Sequence, residues 1–90
     1  MTEAQLDIQE IARRGQALYD ERIRPLVETE ANIGNHLTLD ILTGDYEIAD
    51  RGVESGVKLR ERRPEGILYG VRIGYDAVYG YHHRPRRQTS

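Results

Sequence analysis

The chain contains no cysteine, phenylalanine or tryptophan, one methionine and three prolines among its 90 residues. The lack of cysteine excludes a disulfide framework, a thiol nucleophile and any zinc site with sulfur ligands. The lack of Phe and Trp leaves six Tyr as the only aromatics, so the core must be built mainly from aliphatic side chains. No apolar run approaches the roughly 18 residues of a membrane span, and the acidic opening does not resemble a signal peptide. A cytoplasmic protein without membrane contact is the expectation.

What is present fits one small domain, with 38% hydrophobic and 31% charged residues. A chain of this size buries only roughly 60–65% of its unfolded surface. Its stability is therefore expected to lean on a protein partner or a second copy of itself. The formal net charge of −2 conceals an asymmetry, since residues 1–50 sum to −7 and residues 51–90 to +5. Opposite charges on the two halves favour folding against each other; a basic half also suits an acidic partner, either protein or nucleic acid.

Thr2 and Gln5 have capping-box spacing, and Ala4, Ile8, Ile11, Gly15 and Leu18 recur on one helical face, which predicts a helix from Thr2 to about Ile23. It should end before Pro25, which disfavours helical backbone at Arg24. Gly15 inside it is tolerable where another backbone approaches closely at that point. From Leu37 the apolar period becomes two, and Thr43-Gly44 reads as the turn of a β-hairpin in which Leu39 faces Ile48 and Asp40 faces Glu47. Asp50 is placed to cap a second helix to Arg62 with Val53, Val57 and Leu59 inward, its terminal cations suiting the helix dipole. Residues 67–73 and 77–82 read as a second hairpin around Gly74-Tyr75-Asp76. The predicted fold is a single α+β domain over residues 1–82, ordered helix-strand-strand-helix-strand-strand, with a mostly antiparallel four-stranded sheet and both helices on one face. Residues 83–90 form a basic tail expected to be flexible.

The second hairpin concentrates Tyr69, Arg72, Tyr79 and Tyr81 between glycines. Tyr and Arg dominate interface hot spots, so these four are the candidate partner-binding residues on an open sheet face or strand edge. The same tyrosines could stack on single-stranded nucleic acid while Arg84, Arg86 and Arg87 contact phosphates, although the net acidity counts against this. Asp40 and Glu47, opposed across the first hairpin, call for a cation, and Arg72 is the candidate to complete a structural charge cluster. Adjacent His82 and His83 point to opposite faces of a strand and do not chelate together. Ser55 has no His and Asp companions, and no phosphate-binding loop is present. No catalytic residue, metal site or cofactor is therefore expected.

Leu39-Asp40-Ile41 and Thr43-Gly44-Asp45-Tyr46-Glu47-Ile48, followed by Val71-Arg72-Ile73-Gly74-Tyr75, resemble small uncharacterised prokaryotic proteins with a "TGDYEI" hairpin and a "VRIGY" strand. The resemblance covers roughly residues 10–82 and implies a link to two-gene units of the toxin–antitoxin type. It supplies no activity, cofactor or residue roles. The expectation is a non-enzymatic interaction module, an antitoxin or adaptor member of such a pair, with a nucleic-acid-binding module as the alternative.

Overall fold

Asp7 begins the first helix. Its extended backbone precedes α1 (Ile8–Leu18), and its carboxylate accepts the Glu10 amide at 2.8 Å, which satisfies one of the donors left over at a helix start. The described helix thus starts six residues beyond Thr2; Thr2 and Gln5 lie outside the residues that this computed structural model describes, 7–77 and 83–85.

Nor does the helix stop before Pro25. A π-helical turn, Tyr19–Ile23, leads directly into α2 (Arg24–Val27), with the Arg24 amide reaching back five residues to the Tyr19 carbonyl. A widened turn moves the preceding carbonyls away from the proline ring, and proline needs no amide partner there. The same turn sets the buried face. Gly15, Tyr19, Ile23 and Val27 are buried at strict four-residue intervals. In an uninterrupted α-helix each such step overshoots a full turn by about 40°; the wide turn takes up the excess and keeps the four in line. Ile8, expected in the stripe, is 83% exposed.

Strands β1 (His36–Asp40) and β2 (Tyr46–Ala49) form the first hairpin, but Leu39 pairs with Tyr46, Leu37 with Ile48 and Thr38 with Glu47. This is two residues from the expected register, a shift that preserves which side chains share a face. The cause is the connection. The Asp40 amide bonds the Asp45 carbonyl and the Gly44 amide bonds the Asp40 carbonyl, so residues 41–45 form a wider loop than a Thr43-Gly44 turn. Gly44 supplies its positive φ of 82°.

Helix α3 (Gly52–Arg62) follows, with Arg51 at its N-cap and no side-chain cap, so Asp50 does not play the expected role. Then β3 (Leu68–Arg72) pairs antiparallel with β1, giving a three-stranded sheet in the order β2-β1-β3. Of the predicted hairpin between residues 67–73 and 77–82, residues 78–82 lie outside the described residues, and the described first strand pairs with β1. The Ile73 amide and carbonyl are tied to Asn35 and Gly34, prolonging the contact with the start of β1, and Gly74, at φ 87°, turns the chain away. Short strands β4 (Tyr75–Ala77) and β5 (His83–Pro85) instead pair with each other in a separate two-stranded sheet. The segment expected to begin a flexible tail at His83 therefore starts with a strand.

The result is a small α+β domain, with helices on both faces of the main sheet rather than on one. Leu37, Leu39 and Val71 pack with Tyr19, Ile23 and Val27 of the first helical rod, joined by Ile73 and flanked by Tyr46, Ile48 and Tyr69. Full burial of each aliphatic here contributes roughly 1.5–3 kcal/mol. On the opposite face, reached by strand alternation, Thr38 meets α3 through a buried 2.7 Å hydrogen bond with Ser55. Val53 and Val57, expected inward, are 80% and 53% exposed. The inward residues are Ser55 and Leu59, helped by Gly52 and Gly56, whose missing side chains let α3 approach His36 and Thr38.

Candidate interaction surface

The hydrogen bonds that flank β3 fix which way its backbone points. The Ile41 amide bonds the Ile67 carbonyl at 2.9 Å, and the Ile73 amide bonds the Asn35 carbonyl at 2.8 Å. In an antiparallel ladder these bonds recur at every second residue. Residues 67, 69, 71 and 73 thus bond toward β1, while the amides and carbonyls of Leu68, Gly70 and Arg72 point away from it. No described strand pairs with that edge.

The side chains of Leu68 and Arg72 lie on the α3 face, opposite Tyr69 and Val71. Since α3 sits mainly over β1 and β2, β3 is left partly uncovered. A groove of about 590 Å³ remains between them, lined by Val53, Gly56, Val57, Arg60, Glu61, Pro64 and Leu68. Arg60 holds one end of it by donating to the carbonyls of Pro64 and Gly66 at 3.0 and 2.9 Å. These close the C-terminal end of α3, whose last carbonyls have no partners within the helix. Glu61 has no ion pair among the described residues. Arg72 has no carboxylate partner among them either; its Nε donates to the Gly34 carbonyl at 3.2 Å and its guanidinium lies 4.2 Å over the Tyr75 ring.

Of the predicted partner-binding residues, Arg72 is therefore on this surface. Tyr69 is not. It faces the first helical rod, its hydroxyl donating to Gln16 Oε1 at 2.9 Å, and partial burial raises its pKa above the ordinary tyrosine value. Tyr79 and Tyr81 lie outside the described residues, as do Arg86 and Arg87; Arg84 is placed by its backbone in β5, across from Asp76. Val53, Val57, Glu61 and Leu68 were not expected here. The overlooked signal was the run of small residues Gly52, Ser55 and Gly56, which marks the sheet-facing side of α3 and so puts both valines outside.

The proposed charge cluster of Asp40, Glu47 and Arg72 does not form. Asp40 is buried, and its carboxylate accepts the Leu42 amide, the Thr43 hydroxyl and the Ile67 amide at 3.1, 2.8 and 3.0 Å. Its oxygens are satisfied by these donors rather than by a cation. Glu47 instead pairs with Arg62, which also bonds Asp45, and Arg63 Nε reaches Asp45 at 3.1 Å. The Arg62 hydrogen bond holds the Asp45 carboxyl below its ordinary pKa of 3.8.

Arg62→Gln is accordingly expected to raise the Asp45 titration midpoint toward the ordinary carboxylate range, followed by the carboxyl carbon shift in NMR. A folded pKa below the unfolded one means that the stabilisation is present above about pH 4 and is lost as pH falls through the depressed folded value. An unmoved midpoint would show that Arg62 does not hold Asp45 in solution.

No helix among the described residues is long and apolar enough to cross a membrane. The chain matches no protein-family model, no curated protein and no solved structure. The reading of this surface rests on its own geometry.

Proposed function

We propose that this chain is a non-enzymatic protein-interaction module that accepts a polypeptide strand along the outer edge of β3. The observation that carries the reading is the outward set of amides and carbonyls at Leu68, Gly70 and Arg72, beside a groove whose rim exposes Val53 and Val57. Strand addition to such an edge takes its affinity from main-chain hydrogen bonds and its selectivity from pockets for alternate side chains. Natural proteins usually blunt an open edge with lysine, proline or a bulge; Leu68–Arg72 carries neither lysine nor proline. A place as antitoxin or adaptor in a two-gene pair agrees with this surface, and the product of the neighbouring gene is the partner to test.

Amide hydrogen exchange measured with and without that product checks the reading. Slow exchange of the Leu68, Gly70 and Arg72 amides is expected wherever a strand is seated on the edge, with the product present or, where a second copy already occupies it, without the product. Fast exchange at all three in both samples, with salt-sensitive binding of an oligonucleotide that is lost when Arg84, Arg86 and Arg87 become alanine, would replace it with the nucleic-acid alternative.

A further inference from the structure

We infer that the strand seated on this edge is β3 of a second copy of the chain, so that the domain forms a two-fold symmetric dimer. The inference rests on the interaction reading of β3 and names its partner.

The first argument is symmetry. The outward-pointing backbone groups belong to Leu68, Gly70 and Arg72, a set centred on Gly70. Two antiparallel copies of β3 that place Gly70 opposite Gly70 bring Leu68 of each opposite Arg72 of the other, and every outward amide meets an outward carbonyl. The exposed Gly70 puts no side chain at the axis, where two copies of a larger residue would meet.

The second argument is charge. Gly52 lies beside His36, which pairs with Arg72, so the N-terminal end of α3 lies at the Arg72 end of β3. Its C-terminal end, with Glu61, lines the groove beside Leu68. Within one copy Glu61 and Arg72 therefore stand at opposite ends of the strand, and neither has an ion-pair partner among the described residues. Antiparallel pairing carries Arg72 of one copy across Leu68 of the other, on the face that bears Glu61. With each Arg72 turned from the Gly34 carbonyl and the Tyr75 ring toward a Glu61, two unneutralised charges become two symmetry-related ion pairs. A parallel arrangement would leave both pairs unmade.

The third argument is apolar cover. Pairing joins the two sheets as β2-β1-β3-β3-β1-β2 and puts both α3 helices on one face. They flank a trough floored by Leu68 and Gly70 from each copy, with Val53 and Val57 along its walls. Exposed valines at adjacent turns of a helix then line an interface, as expected of a chain too short to bury a large core alone.

The test is charge reversal followed by sedimentation equilibrium, with circular dichroism confirming that each variant folds. The wild type is expected to sediment at twice the 10.4 kDa chain mass. Glu61→Arg and Arg72→Glu should each weaken the dimer roughly tenfold or more, since each reverses two contacts per dimer. The double variant should recover most of the affinity. Gly70→Pro, which replaces the central outward amide without removing a bond to β1, should give monomer. A dimer indifferent to all four variants would place the contact elsewhere and overturn the inference. A monomeric wild type would overturn it too. Protection of the β3 amides by the neighbouring gene's product would then keep the interaction reading alive without the second copy.

Discussion

Asp40→Ala is expected to lower stability by about 3–5 kcal/mol, because three donors lose their acceptor at a site closed to water. For a domain of this length that corresponds to a fall in Tm of roughly 15–30 °C. Asp40 is 1% exposed, and its Oδ1 serves both the Leu42 and Ile67 amides while Oδ2 serves the Thr43 hydroxyl. Asp40→Asn keeps one oxygen for the two amides and turns an NH₂ toward a hydroxyl that is able to accept, so a smaller loss of about 1–2 kcal/mol is expected. The site is also sterically closed, since a Cβ on Gly66 would stand 2.9 Å from the Asp40 carboxyl carbon. Thermal melts of the two variants decide the matter. Equal and small losses would show that the carboxylate does not organise these loops.

Gly15→Ala should destabilise by roughly 2 kcal/mol, although alanine is the better helix former by about 1 kcal/mol. The sign is reversed by the neighbour. A Cβ on Gly15 would meet Tyr69 Cγ and Cδ2 at 2.4 Å and Tyr69 Cβ at 2.8 Å. These atoms lie near the root of a ring whose hydroxyl is bonded to Gln16, so the ring has little freedom to give way. Overpacking of this kind costs typically 1–3 kcal/mol. In Tyr69→Ala the same glycine substitution should become neutral or stabilising, a coupling that a double-mutant cycle reads directly. A Gly15→Ala variant that melts above the wild type would show that β3 and α1 are not packed this closely.

Gly15 also shows how far the sequence could be read. A glycine inside a strong helical pattern allowed for a close approach, but the approaching group, a tyrosine ring from a strand 54 residues on, has no local signature. Alternation in residues 37–41 and 46–48 correctly separated the faces of the first hairpin. Its register was missed because the loop is organised by the Asp40 side chain, and the Ile67 amide that completes its donors lies 27 residues away. The partner of β3 was missed for a related reason. Sequence neighbours are the natural partners for a strand, yet β3 pairs with β1 across α3, and the bonds among Ile73, Asn35 and Gly34 hold it there. Of the candidate site, Arg72 was legible as an Arg on a strand. The valines, Glu61 and the β3 edge became visible only once α3 was known to turn its small residues inward.

The π-helical turn at Tyr19–Ile23 holds one residue more than an α-helical path from Gly15 to Val27 needs. Each residue of an α-helix advances about 100°. Loss of one residue between Gly15 and Val27 would let the turn close into ordinary helix with every backbone bond still available, so local helicity would survive. The closed turn would lose only the rotation that the wide turn now absorbs, so Val27 would stay in line with Gly15, while the Pro25 ring would be brought against the carbonyl four residues before it. A single deletion in this segment would therefore keep the buried stripe on the core and be resisted chiefly by Pro25, so homologous chains shorter by one residue here should also lack that proline.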